Sequence, residues 1–273
     1  AEQTYRPLEI VVVDNDSSDG TDSLFQTPRS EPDLRYLRLN VNKGVAGGRN
    51  VGINNAAGEI VVCIDDDAML PAPSATETIV ARFSKDPQLA VLAFKSIAGH
   101  TERLAPEEFP HRDKSLDPEQ EFETTYFVGV GHAIRKRVFE QLQGYAEEFF
   151  YGFEELDLSF RVLDAGYKIL YFPQVTVVHM KSSQGRGTPA FVWTKRLEGR
   201  IRASVRNLPW SCVLISTAIR SLYVLAKSKG NLVAVARAYR NIAREWPALM
   251  QQRKPIRPET LTRIAQLKGR LWY

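Results

Sequence analysis

The sequence predicts an α/β fold, a mainly parallel sheet flanked by helices, followed by an α-helical C-terminal region. Three observations lead there. Between residues 9 and 64, three apolar runs alternate with two helix-like runs, the β-α-β-α-β order that builds parallel sheets through right-handed crossovers. The third run, Ile60-Val61-Val62-Cys63-Ile64, shows no polar alternation and then stops at Asp65-Asp66-Asp67, which reads as a strand buried on both faces with an open carboxyl end. Finally, the charge is split. Residues 1–185 hold 18 Lys/Arg against 29 Asp/Glu, whereas residues 186–273 hold 18 against 3. We therefore read 1–185 as one domain and 186–273 as a basic helical region that meets something anionic.

Taken in order, Glu9 to Asp14 is a strand ending in an acid, and the polar run Asn15 to Thr21 is a turn leading to a short helix. Residues 34–39 alternate as a strand. A helix is expected over 44–57, with Gly47, Gly48 and Gly52 on its early turns. Glycine costs helix stability, so close approach to a ligand or strand explains it there. After the acids, Ser74-Ala75-Thr76-Glu77 is a capping box opening a helix to about residue 84. Residues 89–97 form an apolar strand. Residues 98–123 are acidic and aperiodic, a long loop of the kind that often makes lids. A strand over 126–134 with Gly129 and Gly131 comes next, then a helix over 135–143 stopped by Gly144.

A helix over 154–165 opens with Glu154-Glu155 and closes at Gly166. Its early acids suit the helix dipole, and Asp157 with Arg161 has i,i+4 spacing. Two short strands, 167–172 and 176–179, are expected around Pro173. From Ala190 the chain reads as helical, with Trp193, Trp210, Trp246 and Trp272 among recurring arginines and lysines. That composition fits amphipathic helices on an anionic membrane surface, and equally a packed helical subdomain with a solvated basic face.

Composition bounds the class. Hydrophobic content of 44% with 25% charged residues is that of a globular chain, and no apolar run is long enough to span a bilayer. The polar start, Ala1 to Pro7, is no signal peptide. Cys63 and Cys212 form no disulfide framework or metal motif, which suits a reducing, cytoplasmic setting. No nucleic-acid partner is expected. Three adjacent acids at a strand end repel one another and call for a divalent cation. Ligands of open α/β sheets bind at such ends.

The segments VVVDNDSSDGT, NKGVAGGRNVGINNAAGE, VVCIDDDAMLP and GFEELDLSFRVLDAGY, with the lone histidine of VTVVHMKSS, stand in a fixed order. Together they resemble the inverting family 2 glycosyltransferases of GT-A fold, rhamnosyltransferase-like members included, from about Pro7 to Ser183. The resemblance implies a nucleotide-sugar donor, a UDP- or dTDP-sugar, and a carbohydrate or lipid-linked acceptor. It implies work in cell-surface polysaccharide or glycolipid synthesis, peripheral on the inner face of the membrane.

Residue by residue, the resemblance puts Asp14 and Asn15 at the nucleotide base and ribose. It puts Arg49 by the nucleotide and diphosphate, and Asn50 and Asp66 among the substrate-binding positions. Asp65 and Asp67 match the metal acids for Mn²⁺ or Mg²⁺, and His179 completes the shell in some relatives. Glu155 matches the catalytic base, where many relatives carry Asp, and Glu154 is expected to orient the acceptor. The resemblance also places Thr4 to Pro7 at the end of a helix belonging to a first βα unit that this sequence lacks. A sugar nucleotidyltransferase, or a truncated non-catalytic fragment that binds nucleotide or membrane, are the competing readings.

Overall fold

The computed structural model describes residues 2–25, 33–181 and 188–271. Strands β1 (Glu9–Asp14) and β2 (Asp33–Arg38) pair in parallel as a two-stranded sheet. Helix α1 (Gly44–Asn55) leads to β3 (Ile60–Ile64), an outer strand of a seven-stranded sheet. That sheet also contains β4 (Ala68–Met69), β5 (Leu89–Ala98), β6 (Arg103–Leu104), β7 (Phe122–Thr124), β8 (Gly131–Arg135) and β9 (Lys168–His179). Its path runs β3-β8-β5-β9-β4, with β6 on β5 and β7 on β9. Helix α2 (Ala75–Lys85) covers one face through Ile79 and Phe83, packed with Leu92, Phe94, Leu170 and Val177. The other face meets α1, α3 (Lys136–Gln141) and α4 (Glu154–Asp164).

The α/β class holds, but the sheet is mixed rather than mainly parallel. Among the described residues, β1–β2 and β5–β9 pair in parallel and the other strand pairings are antiparallel. Alternating strands and helices restrict connections, yet β8 enters beside β5 reversed, a choice that no local pattern encodes. Strand β3 is half-buried rather than buried on both faces, because β8 is its sole strand neighbour among the described residues.

Several local expectations shift for identifiable reasons. Thr4 to Pro7 is not helical, and the Thr4 amide donates to the Pro73 carbonyl at 2.9 Å. The Ser74 box does not close; instead Gln3 Oε1 accepts from the Thr76 amide at 3.0 Å, capping α2 from outside. Residues 126–130 are not strand, so β8 begins only at Gly131. The two strands expected around Pro173 are one, β9, whose pairing to β5 shifts register between Phe94 and Lys95 and absorbs the proline as a bulge. The acidic stretch 98–123 is no free lid. It carries β6 and β7, buries Phe109 and Glu108, and is tied down by the Tyr171 hydroxyl donating to the Pro118 carbonyl at 2.9 Å.

Among its described residues, the C-terminal region carries four helices: α5 (Pro189–Asn207), α6 (Trp210–Lys227), α7 (Leu232–Gln251) and α8 (Pro258–Gln266). Their buried residues, Leu197, Ile201, Val213, Ile242 and Ile264, join one core with α4 and the sheet. The boundary placed at 185/186, and Trp272, lie outside the described residues.

Asp157 locks α5 to α4. Fully buried, it receives Arg161 on Oδ2 at 2.8 Å, and Arg206 and Asn207 on Oδ1 at 2.8 and 2.7 Å. Burial pushes its carboxyl up, but the two guanidiniums and Asn207 outweigh that and hold it below its ordinary value. Asp157→Ala should cost about 3–5 kcal/mol in urea unfolding near neutral pH, since two cations lose their partner. Because the folded value is depressed, this stabilisation is present above the unfolded carboxyl value of about 3.9 and is lost as pH falls through the folded one. The gap between wild type and variant should close in acid.

Candidate active site

The site forms where the carboxyl ends of β1 and β3 meet the amino ends of α1 and α4. Asp14 closes β1. It is buried and engaged inside the protein, accepting from the Tyr36 hydroxyl and from the Ser17 amide at 2.7 Å. The Tyr36 bond is the main reason its carboxyl sits below the ordinary range. Asn15 ties β1 to α1, accepting from the Lys43 amide and donating to the Gly44 carbonyl, both at 2.9 Å. Gly48 and Gly52 of α1 serve this close approach. A side chain at Gly48 would lie 3.2 Å from the Asn15 amide nitrogen, and one at Gly52 would lie 3.2 Å from Val13. Asn50, expected at the substrate, is buried with both amide atoms bonded to the Tyr145 backbone, at 2.8 and 2.9 Å. It holds the loop before α4 in place.

Arg49 reaches from α1 into the acids. Its Nη2 lies 2.7 Å from Asp65, and its Nη1 lies 3.0 Å from Glu155 and 3.2 Å from Glu154. Burial works against its charge, but Glu155, Asp65 and Glu154 more than compensate and hold its proton more tightly than usual. A β-carbon at position 129 would sit 2.2 Å from Glu155 Oε1 and 2.4 Å from Arg49 Nη2, so glycine there makes room for this contact.

The two glutamates differ. The Glu154 side chain is 2% exposed and its Oε2 has no hydrogen-bond partner among the described residues, whereas that of Glu155 is 15% exposed. Burial first, and the neighbouring Glu155 second, push the Glu154 carboxyl well above the usual range. Glu154, expected to orient the acceptor, is enclosed here, with its Oε1 3.2 Å from Arg49 Nη1.

Asp65 and Asp67 follow β3, and Asp66 between them is exposed. Strand β4 turns back to pair with the end of β9, placing Ala68 opposite His179. This brings His179 Nε2 to 3.2 Å from Asp67 Oδ1. One ligand atom each from Asp65, Asp67 and His179 lies within 4.8 Å of the others, a spacing that one divalent cation can bridge.

Sequence reasoning missed Glu108. It comes from the acidic stretch, is buried, and lies 2.8 Å from His179 Nδ1, with Lys181 Nζ at 2.9 Å. A carboxylate on Nδ1 orients the ring so that Nε2 faces Asp67, the arrangement that prepares histidine for a metal. The acid pair Glu107-Glu108 was the sole local signal, within a stretch full of acids. His132 was missed too. Buried, with Nε2 3.0 Å from the Tyr145 hydroxyl, it is pushed down to about 3 by burial and by Arg49, and so stays neutral behind the site.

Residues 1–143 match the family described as glycosyl transferase family 2. An uncharacterized glycosyltransferase, YfnE of Bacillus subtilis (strain 168), is 27% identical over 226 residues, covering 64% of this chain and 57% of that protein. The O-antigen chain rhamnosyltransferase RfbN of Salmonella typhimurium (strain LT2) is 23% identical over 188 residues, covering 65% of this chain and 59% of RfbN. The chain thus spans somewhat over half the length of these curated relatives. Among solved structures, GalNAc-T7 with UDP, GalNAc and Mn²⁺ superposes with a TM-score of 0.60 at 17% identity, over 80% of this chain and 46% of that one. The shared fold is that of the GT-A glycosyltransferases.

Proposed function

This chain belongs to glycosyl transferase family 2, and on that footing we propose that it transfers a sugar from a nucleoside-diphosphate donor to an acceptor hydroxyl with inversion. The observation that carries the reading is the guanidinium of Arg49. It bridges Asp65 at 2.7 Å and Glu155 at 3.0 Å, so the more open glutamate stands one side chain away from the acids that would hold a cation. In this reading Glu155 takes the acceptor proton while the acceptor oxygen attacks the anomeric carbon. The bond from that carbon to the diphosphate oxygen breaks, its electron pair leaves with the diphosphate, and configuration inverts through an oxocarbenium-like transition state.

Asp65, Asp67 and His179 would hold Mn²⁺ or Mg²⁺, which neutralises charge on the leaving diphosphate. The imidazole donor tilts the choice toward Mn²⁺. Arg49 steadies both acid groups, and Asp66, exposed beside them, is available to the donor. Asp14 and Asn15 would shape the nucleotide pocket through the turn they brace. Glycosyltransferase neighbours support sugar transfer over nucleotidyl transfer. A UDP- or dTDP-sugar is the proposed donor, in polysaccharide or glycolipid synthesis. The acceptor is a carbohydrate or lipid-linked hydroxyl, met on the cytoplasmic face of the membrane with 186–273 at its surface.

Calorimetric titration with UDP, dTDP and GDP, with and without Mn²⁺, tests this. We expect binding of a uridine or thymidine diphosphate that strengthens with the cation. No binding of any of the three would overturn the proposal.

A further inference from the structure

Helices α6 and α7 turn an unusually apolar face outward. Of the large hydrophobic side chains left exposed, Trp210, Leu214, Ile215, Ile219, Leu222 and Tyr223 lie on α6. On α7, Leu232, Tyr239, Trp246 and Met250 recur at helical spacing as one stripe, and Val233 joins them. Leu214, Leu222 and Leu232 are 69%, 67% and 68% exposed. The two stripes form one patch: the rings of Trp210 and Trp246 are 6.0 Å apart, and the Ser221 and Tyr239 hydroxyls are 2.8 Å apart.

The charge around the patch has one sign. Residues 210–254 contain eight Lys/Arg and a single acid, Glu245, which is paired with Arg202 of α5. Lys227, Lys229, Arg237, Arg240 and Arg244 are exposed beside the patch. No helix among the described residues is long and apolar enough to cross a membrane. An apolar stripe with a cationic margin, on helices too polar to insert across a bilayer, fits the interface of an anionic one.

We propose that the α6–α7 face docks on an anionic lipid bilayer, with Leu214, Leu222, Leu232 and Val233 entering the headgroup boundary and the arginines and lysines at its margin meeting lipid phosphate. The docked face reaches the loop before α4. The Arg220 guanidinium lies 4.6 Å from the ring of Tyr223 on this face and 5.4 Å from the ring of Phe153, the residue before Glu154. Resting on the function proposed above, docking would hold this loop beside the bilayer, where a lipid-linked acceptor presents its hydroxyl.

The test is co-sedimentation of the full chain with vesicles of phosphatidylcholine, alone or mixed with phosphatidylglycerol, at low and high salt. It reads lipid binding and needs no sugar transfer, so it stands apart from the test of the donor site. We expect binding to the mixed vesicles only, weakened by salt. The doubly substituted Leu222→Glu/Leu232→Glu chain should bind about tenfold more weakly or worse. Arg237→Glu/Arg240→Glu should do the same, with salt having less left to remove. All four positions are exposed, and circular dichroism would check that the variants fold. Equal binding to neutral vesicles, no binding to anionic ones, or binding that neither pair alters would overturn the proposal. So would a dimer in sedimentation velocity that Leu222→Glu/Leu232→Glu dissociates, which would give the face to a second copy.

Discussion

Glu155→Gln should lower the rate of sugar transfer by about 100-fold or more while nucleotide binding is kept. Glutamine matches the size of glutamate but cannot accept the acceptor proton. The substitution therefore removes the proposed base and little else, apart from the 3.0 Å ion pair with Arg49, which also holds Asp65 and Glu154. Glu154→Gln is the matched control. Glu154 is buried with its Oε1 3.2 Å from Arg49 Nη1, and an amide of the same shape can still accept from that guanidinium. Turnover in that variant should stay within a few-fold of wild type. Steady-state transfer assays with calorimetric nucleotide binding decide it. Undiminished turnover in Glu155→Gln would remove Glu155 from the role of base, and an equal fall in both variants would leave the base to be chosen between the two glutamates.

The second large effect belongs to the cation shell. Asp67→Ala should abolish measurable Mn²⁺ binding and reduce transfer by about 100-fold or more, because the leaving diphosphate would lose its counter-charge. Glu108→Gln should act more mildly and by another route. The carboxylate 2.8 Å from His179 Nδ1 sets which ring nitrogen faces Asp67. An amide there can turn either its oxygen or its NH₂ to the ring and no longer enforces one tautomer, so Mn²⁺ affinity should fall roughly 10–100-fold with the fold intact. Calorimetry or electron paramagnetic resonance of bound Mn²⁺ reads both without turnover. Wild-type Mn²⁺ affinity in Glu108→Gln would show that His179 is oriented by something else, and in Asp67→Ala that the ion sits elsewhere.

The sequence by itself determined where the chemistry stands along the chain. An apolar run cannot continue into Asp65-Asp66-Asp67, so the acids had to cap β3 at its open end. Glycines on the early turns of α1 announced a close approach, which for Gly48 and Gly52 proved to be to Asn15, just after β1, and to Val13 within it, while Gly47 lies against Lys43. Acids opening α4, Gly166 beyond its end, and basic, Trp-bearing helices after Ala190 were likewise legible, because caps, periodicity and charge are local properties.

Only the tertiary structure decided how these pieces face one another. Glu154 and Glu155 are adjacent and alike in sequence; the helix turns one into the core and leaves the other open. Arg49 meets a carboxylate 106 positions away, and Glu108 meets a histidine 71 positions away. Asp157 kept the i,i+4 pair that its spacing announced, but Arg206 and Asn207 reached it only because α5 packs on α4. The direction of β8 and the half-burial of β3 depend on which strand lies alongside, and the outward face of α6 and α7 on which side α5 covers. Periodicity reports the faces of one element at a time, whereas pairing across the chain is set by how several such faces are buried together.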